Sequence, residues 1–288
     1  MTAQYSHDTL TTHGLVTHYL HAGAEDAPLL VLLHEGAFGA SAAASWGPLI
    51  PLLAEEYRVI APDLYGYGAS SKVVQFDAAP YDLRLHQVGA LLDHLGAQDA
   101  RVHLVGNSFG GAMALRAALT EWFAPRLRSV VSFGGTGGPY RTADGLARLG
   151  RFDGTAEDME ELVRFANGDF PGLAEQVASR MAGASAGNYR AILSPMMPAP
   201  FAAAPPADAY PETLAATSIP VVAVAGTDDP FVEPGWAQRV TAHAPLGRAV
   251  VVDGGHSPNV VDPAGTARLI LAVLRENEEP LDHTPSAN

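Results

Sequence analysis

The pentapeptide Gly106-Asn107-Ser108-Phe109-Gly110, set between an apolar run and a helix-forming one, constrains this chain more than any other feature. Val102-His103-Leu104-Val105 reads as a buried central strand, and residues 111–119, rich in Ala and Leu, read as a helix. Turning from strand to helix in so few residues strains the backbone at the tip, so the residues two positions to either side must be small. Gly106 and Gly110 meet that need. Ser108 then projects at the head of a helix, where free N–H groups and the helix dipole favour developing negative charge. The pattern predicts a nucleophilic serine; the plainer alternative is a serine helix cap.

Apolar runs of strand length alternate with helix-like segments along the chain, the pattern of a mostly parallel sheet in an α/β protein. Strands are expected at 16–21, 29–33, 58–61, 101–105, 129–133, 221–225 and 248–252. Helices are expected near 48–55, 81–95, 108–120, 236–243 and 263–276. The first two strands read as an antiparallel start to the sheet. The alternation breaks between 140 and 217, where helices near 157–167 and 171–184 precede a stretch dense in Pro and Ala at 195–211. The expected division is a core of residues 1–139 and 218–276, a helical cap inserted at 140–217, and a frayed tail at 277–288.

A serine hydroxyl becomes a good nucleophile only when a base takes its proton, and the base needs an acid to orient it. Two strand-end loops late in the chain offer candidates for both. The run at 221–225 leads into Gly226-Thr227-Asp228-Asp229-Pro230-Phe231-Val232, and the run at 248–252 leads into Asp253-Gly254-Gly255-His256-Ser257. His256 is the expected base. Asp229 is preferred as the acid because Phe231 and Val232 should anchor the loop just beyond it; Asp228 and Asp253 rank behind. An oxyanion hole needs two N–H donors. One is expected from Phe109, the other from Gly36 or Ala37 in the loop after the strand at 29–33.

Composition narrows the partners. A formal net charge of −14 disfavours nucleic acid and anionic membrane surfaces. The chain has no cysteine, which removes disulfides, thiol nucleophiles and cysteine-bound zinc. His34, Glu35, Asp63, His86 and His94 show no metal-motif spacing, and no cofactor or metal is expected. The first residues carry neither a basic region nor an apolar run, so a cytoplasmic protein acting on a small molecule is expected, with a homo-oligomer left open.

From residue 31 to 274 the chain resembles the α/β-hydrolase superfamily, through the loop at His34–Gly36, Asp63-Leu64-Tyr65-Gly66-Tyr67-Gly68-Ala69-Ser70, the Ser108 elbow, Asp229 and His256. That resemblance implies an eight-stranded, mostly parallel sheet flanked by helices. Within the superfamily the chain looks most like the meta-cleavage-product hydrolases, which break a carbon–carbon bond in 2-hydroxy-6-oxo-dienoates. The likeness rests on Asn107 before the serine, Gly39-Ala40-Ser41 with Ser45-Trp46, Gly134-Gly135-Thr136-Gly137-Gly138, and Arg180 in Val177-Ala178-Ser179-Arg180-Met181. It implies an acidic, apolar-tailed substrate, held at its acidic end by Arg180 (Arg190 is the nearest competitor), with Asn107, Ser45 and Ser257 near the substrate. Phe133, Phe165, Met181, Met196 and Met197 either line the pocket or pack the core. Glu35, Ser45 and Ser257 depart from the family pattern, which brings in a carboxylesterase or lactonase as the alternative. A cofactor-free dioxygenase or a non-catalytic binding module are the further alternatives.

Overall fold

A computed structural model describes residues 5–73, 81–184 and 209–278. Eight strands form one sheet: β1 (Ser6–Thr12), β2 (Leu15–Ala22), β3 (Leu29–Leu33), β4 (Arg58–Pro62), β5 (Val102–Asn107), β6 (Leu127–Phe133), β7 (Val221–Gly226) and β8 (Gly247–Val252). Their spatial order is β1-β2-β4-β3-β5-β6-β7-β8. β3 and β5 are buried at every residue, as the centre of a sheet covered on both faces requires.

The helices in chain order are α1 (Ala42–Trp46), α2 (Ile50–Leu53), α3 (Asp82–His94), α4 (Phe109–Ala117), α5 (Ala143–Leu149), α6 (Ala156–Asn167), α7 (Leu173–Gly183), α8 (Trp236–Thr241), α9 (Pro258–Val261) and α10 (Pro263–Glu276). The period-2 alternation of strand side chains sorts the core into two layers. Leu29, Val31 and Leu33 pack with α3, α4 and α8 through Val88, Met113 and Trp236. Leu30 and Leu32 face the other way, onto Trp46, Ile50 and the α10 residues Ile270 and Leu274.

The antiparallel start differs from expectation. β2 pairs antiparallel with β1 and β4, whereas β3 runs parallel to both of its neighbours. The missing strand is β1, a polar edge segment (Ser-His-Asp-Thr-Leu-Thr-Thr) that is mostly exposed. Its hairpin to β2 turns on two residues, His13 and Gly14, with φ of 51° and 79°. Two positive φ values suit the right-handed twist of the strands they join.

Helices α5, α6 and α7 all lie between β6 and β7. Thr142 and Thr155 cap α5 and α6 by accepting from the N–H groups of Gly145 and Asp158. α6 turns Met159, Leu162 and Val163 into the first core layer. Arg190, Met196, Met197 and the Pro-rich run up to residue 208 lie outside the described residues, as does the tail from 279.

Candidate active site

Ser108 sits between β5 and α4 with φ 52° and ψ −112°, a strained conformation for a residue that carries a Cβ. The crossing is tight on both sides. A Cβ on Gly106 would lie 2.2 Å from the Gly110 carbonyl carbon, and one on Gly110 would lie 2.3 Å from the Leu33 oxygen. The serine N–H donates to the Phe133 carbonyl at 2.7 Å, which fixes the elbow to the end of β6.

The loops after β7 and β8 are laced together. Thr227 N–H donates to Val252 O, Asp228 N–H to Gly254 O, and Gly254 N–H to the Thr227 hydroxyl. This brings Asp229 Oδ2 to 2.7 Å from His256 Nδ1. The other Asp229 oxygen accepts from Phe231 N–H at 2.9 Å, and Phe231 packs its ring 4.6 Å from the imidazole. Phe231 and Val232 are buried, the anchoring read from the sequence. Asp228 and Asp253 are exposed. With Nδ1 engaged by the carboxylate, Nε2 is the imidazole nitrogen left for the cavity.

Ser108, His256 and Ser257 border one cavity of about 240 Å³, together with Gly36, Ala37 and Phe109. Among the described residues the amides of Gly36 and Ala37 make no hydrogen bond to the protein. The loop is pressed onto the elbow: a Cβ on Gly36 would stand 2.8 Å from that of Phe109. Tyr67 holds the Gly36 carbonyl through its hydroxyl at 3.1 Å. His34, at the loop's root, accepts from Leu64 N–H on Nε2 and so donates from Nδ1 to Glu35 O. Burial lowers its pKa, which keeps it neutral.

The glycine run after β6 serves the same crowding. A Cβ on Gly134 would lie 2.8 Å from His256 Nδ1, and one on Gly135 would lie 2.3 Å from the backbone carbonyl oxygen of Ser108. The inserted helices close the opposite wall with Leu149, Leu162, Val163, Ala166, Asn167 and Arg180. The end of α6 is bonded to the base loop itself. Ala166 O accepts from His256 N–H at 2.8 Å, and Asn167 Oδ1 accepts from Ser257 N–H at 2.8 Å.

Arg180 borders the cavity in a buried ion pair with Glu35, with side-chain exposures of 6% and 3%. Its Nη1 donates to Phe38 O, and its Nε donates to Gln176 with that amide oriented to satisfy both partners. The second Glu35 oxygen accepts from the Ser45 hydroxyl. Burial raises the Glu35 pKa, but the Arg180 guanidinium and the Ser45 bond outweigh it and hold the carboxyl below its usual range.

Ser45 and Asn107 do not border the cavity. Ser45 braces Glu35 from behind, and Asn107 donates to the Ser257 hydroxyl at 3.1 Å. Phe133, Phe165 and Met181 belong to the packing of the two core layers. Asp63 acts as a tie between loops, accepting from Ala42 N–H, Ala69 N–H and His18. His86 stacks on Trp122 at 4.3 Å. Tyr81, Asn167 and Arg141 border the cavity without any sequence signal that marked them.

These features define an α/β-hydrolase, and the chain belongs to the alpha/beta hydrolase family, whose sequence model matches residues 30–269. It is 31% identical over 193 residues to the 2-hydroxy-6-oxo-2,4-heptadienoate hydrolase of Pseudomonas putida strain F1, covering 65% of this chain and 66% of that protein. The chain spans 66%, 51% and 49% of the first three such relatives. Over 279 residues it is 28% identical to 3-oxoadipate enol-lactonase 2 of Acinetobacter baylyi, covering 93% of this chain and 96% of that protein. The crystallised 2-hydroxy-6-oxo-6-phenylhexa-2,4-dienoate hydrolase of Rhodococcus sp. strain RHA1 superposes with a TM-score of 0.81 at 28% identity, covering 95% of this chain and 100% of the other. No helix among the described residues is long and apolar enough to cross a membrane.

Proposed function

We propose that the protein is a cofactor-independent serine hydrolase that cleaves a carbon–carbon bond in a 2-hydroxy-6-oxo-dienoate. The observation that carries the serine-hydrolase reading is the convergence on one cavity of a strained Ser108 and of His256 bonded to Asp229, and the likeness to dienoate hydrolases supports the choice of bond. In this reading His256 takes a proton from Ser108 or from a water, and Asp229 orients the imidazole and stabilises its charged form. The amides of Phe109 and of Gly36 or Ala37 stabilise the oxyanion. Helices α5 to α7 act as the cap that keeps bulk water from the reaction.

The carbon–carbon bond needs an electron sink. Ketonisation supplies it: the 2-hydroxyl loses its proton, C5 gains one, and the C5–C6 bond then lies beside a vinylogous carbonyl. Attack at C6 breaks that bond and returns the electron pair to the dienol. The products are a 2-hydroxydienoate and a carboxylic acid, with one water consumed. His256 is placed to move these protons.

Ester or lactone hydrolysis is the second reading. The Glu35–Arg180 pair favours it by neutralising one cation of the wall, as does the likeness to the enol-lactonase along nearly the whole chain. One assay separates the two. Purified protein is given 2-hydroxy-6-oxo-6-phenylhexa-2,4-dienoate and its 6-methyl analogue beside p-nitrophenyl acetate and butyrate. Bleaching of the yellow dienolate with kcat/KM far above the ester values supports carbon–carbon hydrolysis. Fast ester turnover over an unbleached dienolate replaces it with the second reading.

A further inference from the structure

Among the described residues the cavity wall holds two guanidinium groups, Arg141 and Arg180, and one carboxylate, Glu35. Three of the five N–H donors of Arg180 are taken, by Glu35 on Nη2, Phe38 O on Nη1 and Gln176 on Nε, and its charge is matched by the Glu35 carboxylate. Glu35 is engaged as well, by Arg180 on one oxygen and Ser45 on the other. A substrate carboxylate approaching Arg180 would meet a guanidinium whose charge a buried carboxylate already neutralises. Arg141 has no carboxylate partner among the described residues, whereas Arg180 is neutralised by Glu35. In a protein of net charge −14, a cation that borders the cavity without a carboxylate partner among the described residues is a group for an anionic substrate to meet.

Arg141 is also fixed relative to the chemistry. Its backbone forms a bridge with Val232, three residues beyond Asp229. The bridge is flanked by Thr142 N–H donating to Phe231 O at 3.0 Å and Glu233 N–H donating to Tyr140 O at 2.8 Å. The Thr142 hydroxyl adds a bond to Pro230 O. The segment bearing Arg141 is therefore stitched to the loop that carries the acid. The residue is accessible at the cavity edge, yet partial burial lowers its guanidinium pKa, with the nearby Tyr81 opposing the shift. Tyr81 borders the same cavity. A partly desolvated guanidinium with no carboxylate partner among the described residues, carried on backbone that is tied to the acid loop, is suited to a carboxylate.

We propose that Arg141 receives the carboxylate of the substrate and that Arg180 is committed to Glu35 as part of the wall. The inference rests on the reading of an acidic dienoate substrate, and binding rather than turnover tests it separately. The dienoate and its C1 methyl ester are titrated into Ser108→Ala and into Ser108→Ala/Arg141→Gln, and each Kd is measured. The expected result is a rise in the Kd of the acid on the order of tenfold to a hundredfold, with a change under about threefold for the methyl ester. Arg141→Lys should recover part of the loss. An acid Kd that Arg141→Gln leaves unchanged, equal losses for acid and ester, or no binding of the acid by Ser108→Ala would each overturn the proposal. An acid that binds through Arg141 but is not cleaved by the unmodified enzyme removes the carbon–carbon reading and leaves this one standing.

Discussion

Glu35 and Arg180 come from positions 145 residues apart and meet where both are almost wholly withdrawn from water. A buried pair contributes little net stability, because desolvation offsets the attraction, but removing one member strands a charge. Glu35→Ala or Arg180→Ala alone should therefore cost about 3–5 kcal/mol in denaturant unfolding. Glu35→Leu combined with Arg180→Met should cost much less than the two single changes added. Single variants as stable as the parent would show that the pair is not held in solution as it is in the structure.

Hydrogen bonds between elements set the reach of the next scale. The end of α6 supports the base loop through Asn167, which holds the N–H of Ser257, the residue after His256. Asn167→Ala should lower kcat by roughly threefold to tenfold, the effect of losing one neutral hydrogen bond. The melting temperature should move only slightly, and an unchanged kcat would mean that the loop keeps its position without that bond.

Legibility of the fold and site also belongs to elements. β3 was readable to the residue because all five of its side chains are apolar and buried. β1 was invisible because an edge strand needs no apolar face, and its signal is a positive-φ turn that His-Gly does not advertise. Ser108, Asp229 and His256 were readable because a strand–turn–helix elbow and two strand-end loops restrict where each can stand. Arg141, Tyr81 and Asn167 reach the cavity from segments whose mutual placement no spacing rule controls. Arg180 was legible as a cavity residue, but its partner was not: an ion pair between distant segments leaves no periodic trace.

Across the whole molecule, several buried ionisable groups share one dependence on pH. Burial lowers the pKa of His34, and it lowers that of His103 to about 3, so both are neutral in the fold. The unfolded chain binds protons at these residues below a pH of about 6.5, so stability falls as pH drops from there. Burial raises the carboxyls of Glu35 and Asp63, but their partners outweigh it and hold both below their usual range. Their contribution is present above the unfolded carboxylate pKa and is lost as pH falls through the folded value. All four contributions have the same sign. The melting temperature should decline steadily from pH 7 to pH 4, and a flat profile there would contradict the buried neutral histidines.

The most direct test of the central claim is the rate at which the yellow 2-hydroxy-6-oxo-6-phenylhexa-2,4-dienoate bleaches with the unmodified protein and with Ser108→Ala. The account predicts turnover by the former and a kcat lower by about three orders of magnitude or more in the latter, with the fold intact. A near-native kcat in Ser108→Ala would contradict it.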